Sequence, residues 1–148
     1  GLERSMMAEI LHKAIAIECR KAVPGLKRIY RDNIPQDFQT PCILVTSVKT
    51  EVSRSLGDVQ RIKEIFDVLY FPDGEIQNAW KQCETVKQGM LRCFDVIKAD
   101  GISFYVRNKT ASITDDVLHM LFDVTYREKL QKEVPKMEKL STNLEMED

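Results

Sequence analysis

The side chains able to do chemistry are few, and their spacing suits it poorly. Glu64 and Asp67 stand three apart in a stretch that reads as a strand, so they leave opposite faces and cannot share one metal ion without a bulge. Asp115-Asp116 precedes the final predicted strand, where a turn role outweighs catalysis. His119 and Asp123 point to one face of that strand but lie ~13 Å apart at strand rise, beyond hydrogen-bond reach. With Arg127 they form a polar row, which reads as a recognition surface or a solvated face. The cysteines, Cys19, Cys42, Cys83 and Cys93, are 23, 41 and 10 positions apart, none in a CxxC pair. Only two histidines occur, His12 and His119, so neither a zinc centre nor any other metal site or cofactor is expected. Each cysteine sits in an apolar periodic segment and is expected as a buried free thiol. No GxSxG, HExxH or P-loop pattern occurs, and the chain is not expected to be an enzyme.

Basic side chains gather in two places: Lys27, Arg28 and Arg31 after the first helix, and Arg54, Arg61 and Lys63 around a hairpin tip. Glu51, Asp58 and Glu64 dilute the second group, and few aromatics interleave. The 148 residues carry 22 Lys and Arg against 23 Asp and Glu, so no overall field favours nucleic acid or an anionic membrane. Apolar runs fall far short of the ~20 residues needed to span a bilayer, and no signal-peptide pattern is present. Cytosolic residence is therefore the expectation.

The elements that must position these groups can be read from hydrophobic period. From Met6 to about Val23, apolar residues recur at Met7, Ile10, Leu11, Ala14, Ile15 and Cys19, an amphipathic helix ended by Pro24-Gly25. A short edge strand at 26–30, a strand at 42–52, a hairpin tip at 53–58 and a return strand at 60–71 follow. That return strand is apolar on both faces, with Ile62, Phe66, Val68 and Tyr70 against Ile65, Leu69 and Phe71. From Glu75 the period changes to 3.6, and Ile76, Ala79, Trp80, Cys83, Val86, Met90, Phe94 and Ile97 predict one long core helix. A strand at 102–107, a turn at Asn108-Lys109-Thr110 and a final strand at 117–127 complete the pattern. In that final strand Leu118, Met120, Phe122, Val124 and Tyr126 face the core.

The fold class expected is α+β: a mixed or antiparallel sheet of about four to five strands with two helices packed on one face. Residues 1–5, ahead of Met6-Met7, read as a leftover of cloning; 6–130 form one domain; and 131–148, rich in Lys and Glu, form a charged, partly flexible tail.

Several strings, in order and spacing, resemble the tail terminator, or tail completion, proteins of tailed phages and prophages of Gram-positive bacteria. They are Val23-Pro24-Gly25, Pro35-Gln36-Asp37-Phe38, Pro41-Cys42-Ile43-Leu44-Val45, Leu56-Gly57 and Phe66-Asp67-Val68-Leu69-Tyr70-Phe71-Pro72. The run from Val117 to Tyr126 and Pro135-Lys136-Met137-Glu138 continue the likeness. The resemblance implies a structural protein without enzymatic activity. Such a protein forms a homo-oligomeric ring, commonly a hexamer, on the last disc of the tail tube, stops tube polymerisation and presents a surface to the head–tail connector. It implies assembly in the bacterial host cytoplasm and a place in the virion tail. By position, the contact surfaces expected are the hairpin tip with Arg54, Leu56 and Asp58, the polar row His119, Asp123 and Arg127, and the tail near Lys136 and Met137. The alternatives are a head-side neck or head-completion adaptor and, more distantly, a small metal-dependent nuclease built on Glu64, Asp67 or Asp116.

Overall fold

In the computed structural model the residues described are 6–75 and 77–129. The expected first helix is present as α1 (Met6–Ala22), which buries Leu11, Ala14, Ile15 and Cys19. Arg20 and Lys21 in its last turn complement the negative end of the helix dipole. Val23 N–H still bonds to the Cys19 carbonyl, and Gly25, at φ 88°, takes the left-handed turn that an L side chain resists. The chain then runs through β1 (Arg28–Arg31), β2 (Cys42–Arg54), β3 (Val59–Phe71), α2 (Ala79–Cys93), β4 (Val96–Ala99), β5 (Ile102–Thr114) and β6 (Val117–Lys129).

The strands form one mixed sheet in the order β1-β2-β3-β6-β5-β4, with β1 parallel to β2 and every other pair antiparallel. It has six strands where four to five were expected. The extra strand is β4, which the helical stripe had absorbed: Phe94 and Ile97 are buried as expected, but α2 stops at Cys93 and Ile97 lies in a strand. Phe94 leaves helical geometry at φ −85° and ψ 89° while its N–H still reaches the Met90 carbonyl. Beyond it, β-branched Val96 and Ile97 pair with Tyr105 and Phe104 of β5, giving the first half of β5 a ladder partner that a continued helix would have denied it. At the other end α2 starts late, with Asn78 in the left-handed region at φ 72°. Trp80, placed on the core stripe by its spacing, is instead 58% exposed. Ile76, on the same stripe, lies outside the described residues.

Two-residue loops close the second half of the sheet. Asp100-Gly101 joins β4 to β5 with φ 51° and 78°, and Asp115-Asp116 joins β5 to β6 with φ 52° and 62°, both mirror-type turns that suit the twist of a hairpin. The turn expected at Asn108-Lys109-Thr110 is not a turn. β5 continues through it, and the register slips so that Arg107 pairs with Asp123 while Thr110 pairs with Leu121, leaving Asn108 and Lys109 opposite one residue. Asn108 carries the φ of 58° that the bulge requires, at a residue type that tolerates it.

This bulge serves both faces of the sheet. Lys109 turns to the helix side, where its ammonium donates to the carbonyls of Leu91 and Phe94 at 2.8 and 2.6 Å and caps the end of α2. Asn108 turns the other way and donates its amide N–H to the Asp123 carboxylate at 2.8 Å.

Strand alternation places Ile62, Phe66, Val68 and Tyr70 of β3 and Leu118, Met120, Phe122, Val124 and Tyr126 of β6 under the two helices. Phe122 is the hub of that layer, with ring centroids 5.5 Å from Phe66 and 5.4 Å from Phe94.

Candidate assembly surface

The opposite face of the sheet carries no helix among the described residues. Its outward row on β3 is Arg61, Lys63, Ile65, Asp67, Leu69 and Phe71; on β6 it is Val117, His119, Leu121, Asp123, Thr125 and Arg127. β2 adds Leu44, Thr46 and Lys49, and β5 adds Tyr105, Arg107, Thr110 and Ser112. The expected double apolar character of β3 is thus real: one side is core and the other is half-buried Ile65, Leu69 and Phe71. Leu121 beside them is exposed, and Phe38 covers Phe71 at a ring distance of 5.2 Å.

Within this apolar patch lies a polar contact that strand spacing alone does not reveal. His119 Nδ1 is 3.1 Å from Asp67 Oδ2, because the β3–β6 register sets Asp67 opposite Leu121 and so one diagonal step from His119. His119 and Asp123, read from sequence as one row, go to different partners. Asp123 is 7% exposed and is held by Asn108. Glu64 and Asp67 likewise part company: Glu64 accepts from the hydroxyls of Ser47 and Thr50 on the helix-side face, away from Asp67. Recognising the Asp67–His119 pair from sequence required the pairing register of two strands about fifty residues apart, which no local motif carries.

At the other end of the open face the charge is positive. Arg61 and Arg127 are directly paired across β3 and β6, an arrangement unfavourable by itself, and Arg107 lies on the next strand. All three are exposed. Beyond them stands the β2–β3 tip, where Leu56 is 89% exposed, Arg54 is exposed and Asp58 is half-buried. The tip and Arg127 therefore share one end of the sheet, whereas His119 lies eight residues back along β6, ~26 Å at strand rise. Lys136 and Met137 lie outside the described residues. The first basic group is partly neutralised: Arg31 makes a two-pronged contact with Glu9 at 3.0 and 3.1 Å.

Cys19, Cys42 and Cys83 are buried free thiols, as expected, and Cys93 is partly buried. Burial pushes the Cys19 and Cys83 thiols up and takes Cys42 to about 11; the Tyr70 hydroxyl, also buried, rises to about 12. These groups hold their protons in the folded chain at a pH where the unfolded chain releases them. Their stabilising contribution is full below the ordinary thiol value of 9.0 and is lost as pH climbs through the folded values. The midpoint of urea unfolding is expected to stay level up to about pH 9 and then fall steeply toward about pH 11; a level midpoint across that window would contradict the burial of these groups.

Among the described residues no group of three or more His, Cys, Asp or Glu side chains could hold a metal ion, and no helix is long and apolar enough to cross a membrane. What the molecule displays is a curled six-stranded sheet with one face under two helices and the other offering an apolar patch and a basic end.

That arrangement defines a small α+β protein whose exposed chemistry lies on a sheet surface. Residues 10–136 match the family model described as phage tail terminator protein, and the chain belongs to that family, a structural family of phage tails. No curated protein matches the sequence. Among solved structures, a chain of the virion of a native gene transfer agent (GTA) particle is similar, with a TM-score of 0.47 and 12% identity, covering 85% of this chain and 99% of that chain.

Proposed function

We propose that this protein ends the tail tube: copies close into a ring, in the manner of a hexamer, on the last tube disc, stop further addition and offer the head–tail connector its joining surface. The family match over 10–136 is the observation that carries this reading. The open sheet face is consistent with it, because a half-buried apolar patch with Leu121 exposed gains from being covered by a neighbour. A head-to-tail contact that closes on itself caps a growing tube, since the tube's mating surface is offered once and a different surface lies beyond.

In this reading the protein works by burying surface and catalyses no reaction. It assembles in the bacterial cytoplasm and remains in the virion tail. The β2–β3 tip with Arg54, Leu56 and Asp58, the face carrying His119 and Arg127, and the segment with Lys136 and Met137 supply contacts. Asp123 acts indirectly, by fixing the bulge through Asn108. Deleting the gene from its phage is expected to yield tails of uncontrolled length in electron micrographs, restored to one length by the gene in trans; uniform tails of normal length in the deletion would overturn the proposal.

A further inference from the structure

Charge on this molecule is divided between the two ends of its long strands. Toward the β2–β3 tip, the open sheet face gathers Arg61 and Lys63 of β3, Arg127 of β6 and Arg107 of β5. The carboxylates opposite them in the ladder are engaged elsewhere: Glu51, opposite Lys63, by Lys49 at 3.2 Å, and Asp123, opposite Arg107, by Asn108 at 2.8 Å. Among the described residues none of the four cations is in an ion pair. Like charges gathered on one face repel one another and favour an anionic neighbour.

The other end is acidic. Val117 stands ten residues before Arg127 on β6, about 33 Å at strand rise, and the turn ahead of it is Asp115-Asp116, both exposed. A mirror-type turn accepts Asn-Gly as readily, so its geometry does not account for two charges. Among the described residues neither carboxylate is in an ion pair; Asp116 meets the Cys83 thiol through its carbonyl, at 3.5 Å. Asp73, just past β3, adds a third carboxylate here, since Tyr70 near the end of β3 lies opposite Leu118 near the start of β6. The charges of Asp73 and Asp116 help to raise the pKa of Tyr70 and Cys83 respectively, which places both carboxylates beside that part of the core.

We infer that in the ring the Asp115-Asp116 turn of one copy seats on the Arg61, Arg107 and Arg127 face of the next. Charge complementarity selects a second copy. Both surfaces belong to one chain and lie at opposite ends of the same strands, so they join head to tail, the kind of contact that closes a ring. This contact deepens the proposed ring and rests on it for the presence of a neighbour.

The test uses the full chain, with assembly followed by sedimentation with and without tail tube and folding checked by circular dichroism. R61E/R127E and D115K/D116K are each expected to raise the concentration needed for assembly about tenfold or more. D115N/D116N, which keeps residues that tolerate the left-handed turn, is expected to raise it less. Mixing the two reversed chains is expected to restore assembly, because each then offers the other the opposite charge. As a measurement that leaves both charge sets intact, T114C and T125C chains are mixed and treated with a short bismaleimide; a dimer of one chain of each kind is expected, above the yield from the native cysteines alone. If the wild-type chain assembles but the folded reversals are harmless, the mixture stays defective or the mixed cross-link is missing, this contact is wrong and the ring reading stands. Loss of assembly in R61E/R127E with D115K/D116K unaffected assigns the arginine face to another anion, on the tube or a nucleic acid, and likewise overturns the second-copy contact. A wild-type chain that stays monomeric even with tail tube present overturns both.

Discussion

Replacing Phe122 by alanine is expected to cost about 3 to 5 kcal/mol of folding stability, a large share of what a domain of this size has to spend. The magnitude follows from position. Phe122 is 1% exposed, and its ring lies between Phe66 of β3 and Phe94 at the end of α2, both fully buried, so its removal leaves a hole bounded by the sheet on one side and the helix end on the other. Neither wall can collapse freely: Phe94 is pinned by its N–H on Met90 and by Lys109 on its carbonyl, and Phe66 sits in a strand paired on both sides. Urea unfolding followed by circular dichroism is the measurement, with Phe122→Leu as the milder companion. A loss below about 1 kcal/mol in the alanine variant would mean the layer repacks and the hub assignment is wrong.

The second large effect is expected at Asn108, an exposed polar residue that composition would class as replaceable. Asn108→Ala removes the amide that donates to a carboxylate 7% exposed, and puts a residue less tolerant of the left-handed region into a backbone with φ 58°. Losing a hydrogen bond to a charged group and straining a left-handed position together are expected to cost about 2 to 4 kcal/mol. Asn108→Gly separates the two causes: it keeps the backbone conformation, loses only the donor and should fall between wild type and alanine. Equal stability of the alanine and wild-type proteins would show that water replaces the amide at Asp123.

Much of this architecture is legible in residue order. The period of 3.6 in α1 and the alternation of β6 are unambiguous because each has one buried face and one polar face. The errors fall where two periods agree or where a local signal is outvoted by pairing. Phe94 and Ile97 are apolar in helical phase and inward-facing in the real turn and strand, so the stripe cannot report where α2 ends. Asn108-Lys109-Thr110 has turn composition, yet its left-handed residue makes a bulge because β6 is long enough to pair on both sides of it. The Asp67–His119 pair depends on register between distant strands, and side-chain alternation is silent about register until the partner is known.

The two outermost strands, β1 and β4, have four residues each, while the four between them have 13. A long bare margin at either side would invite a like margin from another molecule, and the product would be an endless ribbon. The short outer strands leave 46–54 of β2 and 106–114 of β5 without a ladder partner on their outer side among the described residues, so something else must guard those stretches. On β2 that stretch carries Lys49, Glu51 and Arg54, charges that discourage a second strand from docking alongside.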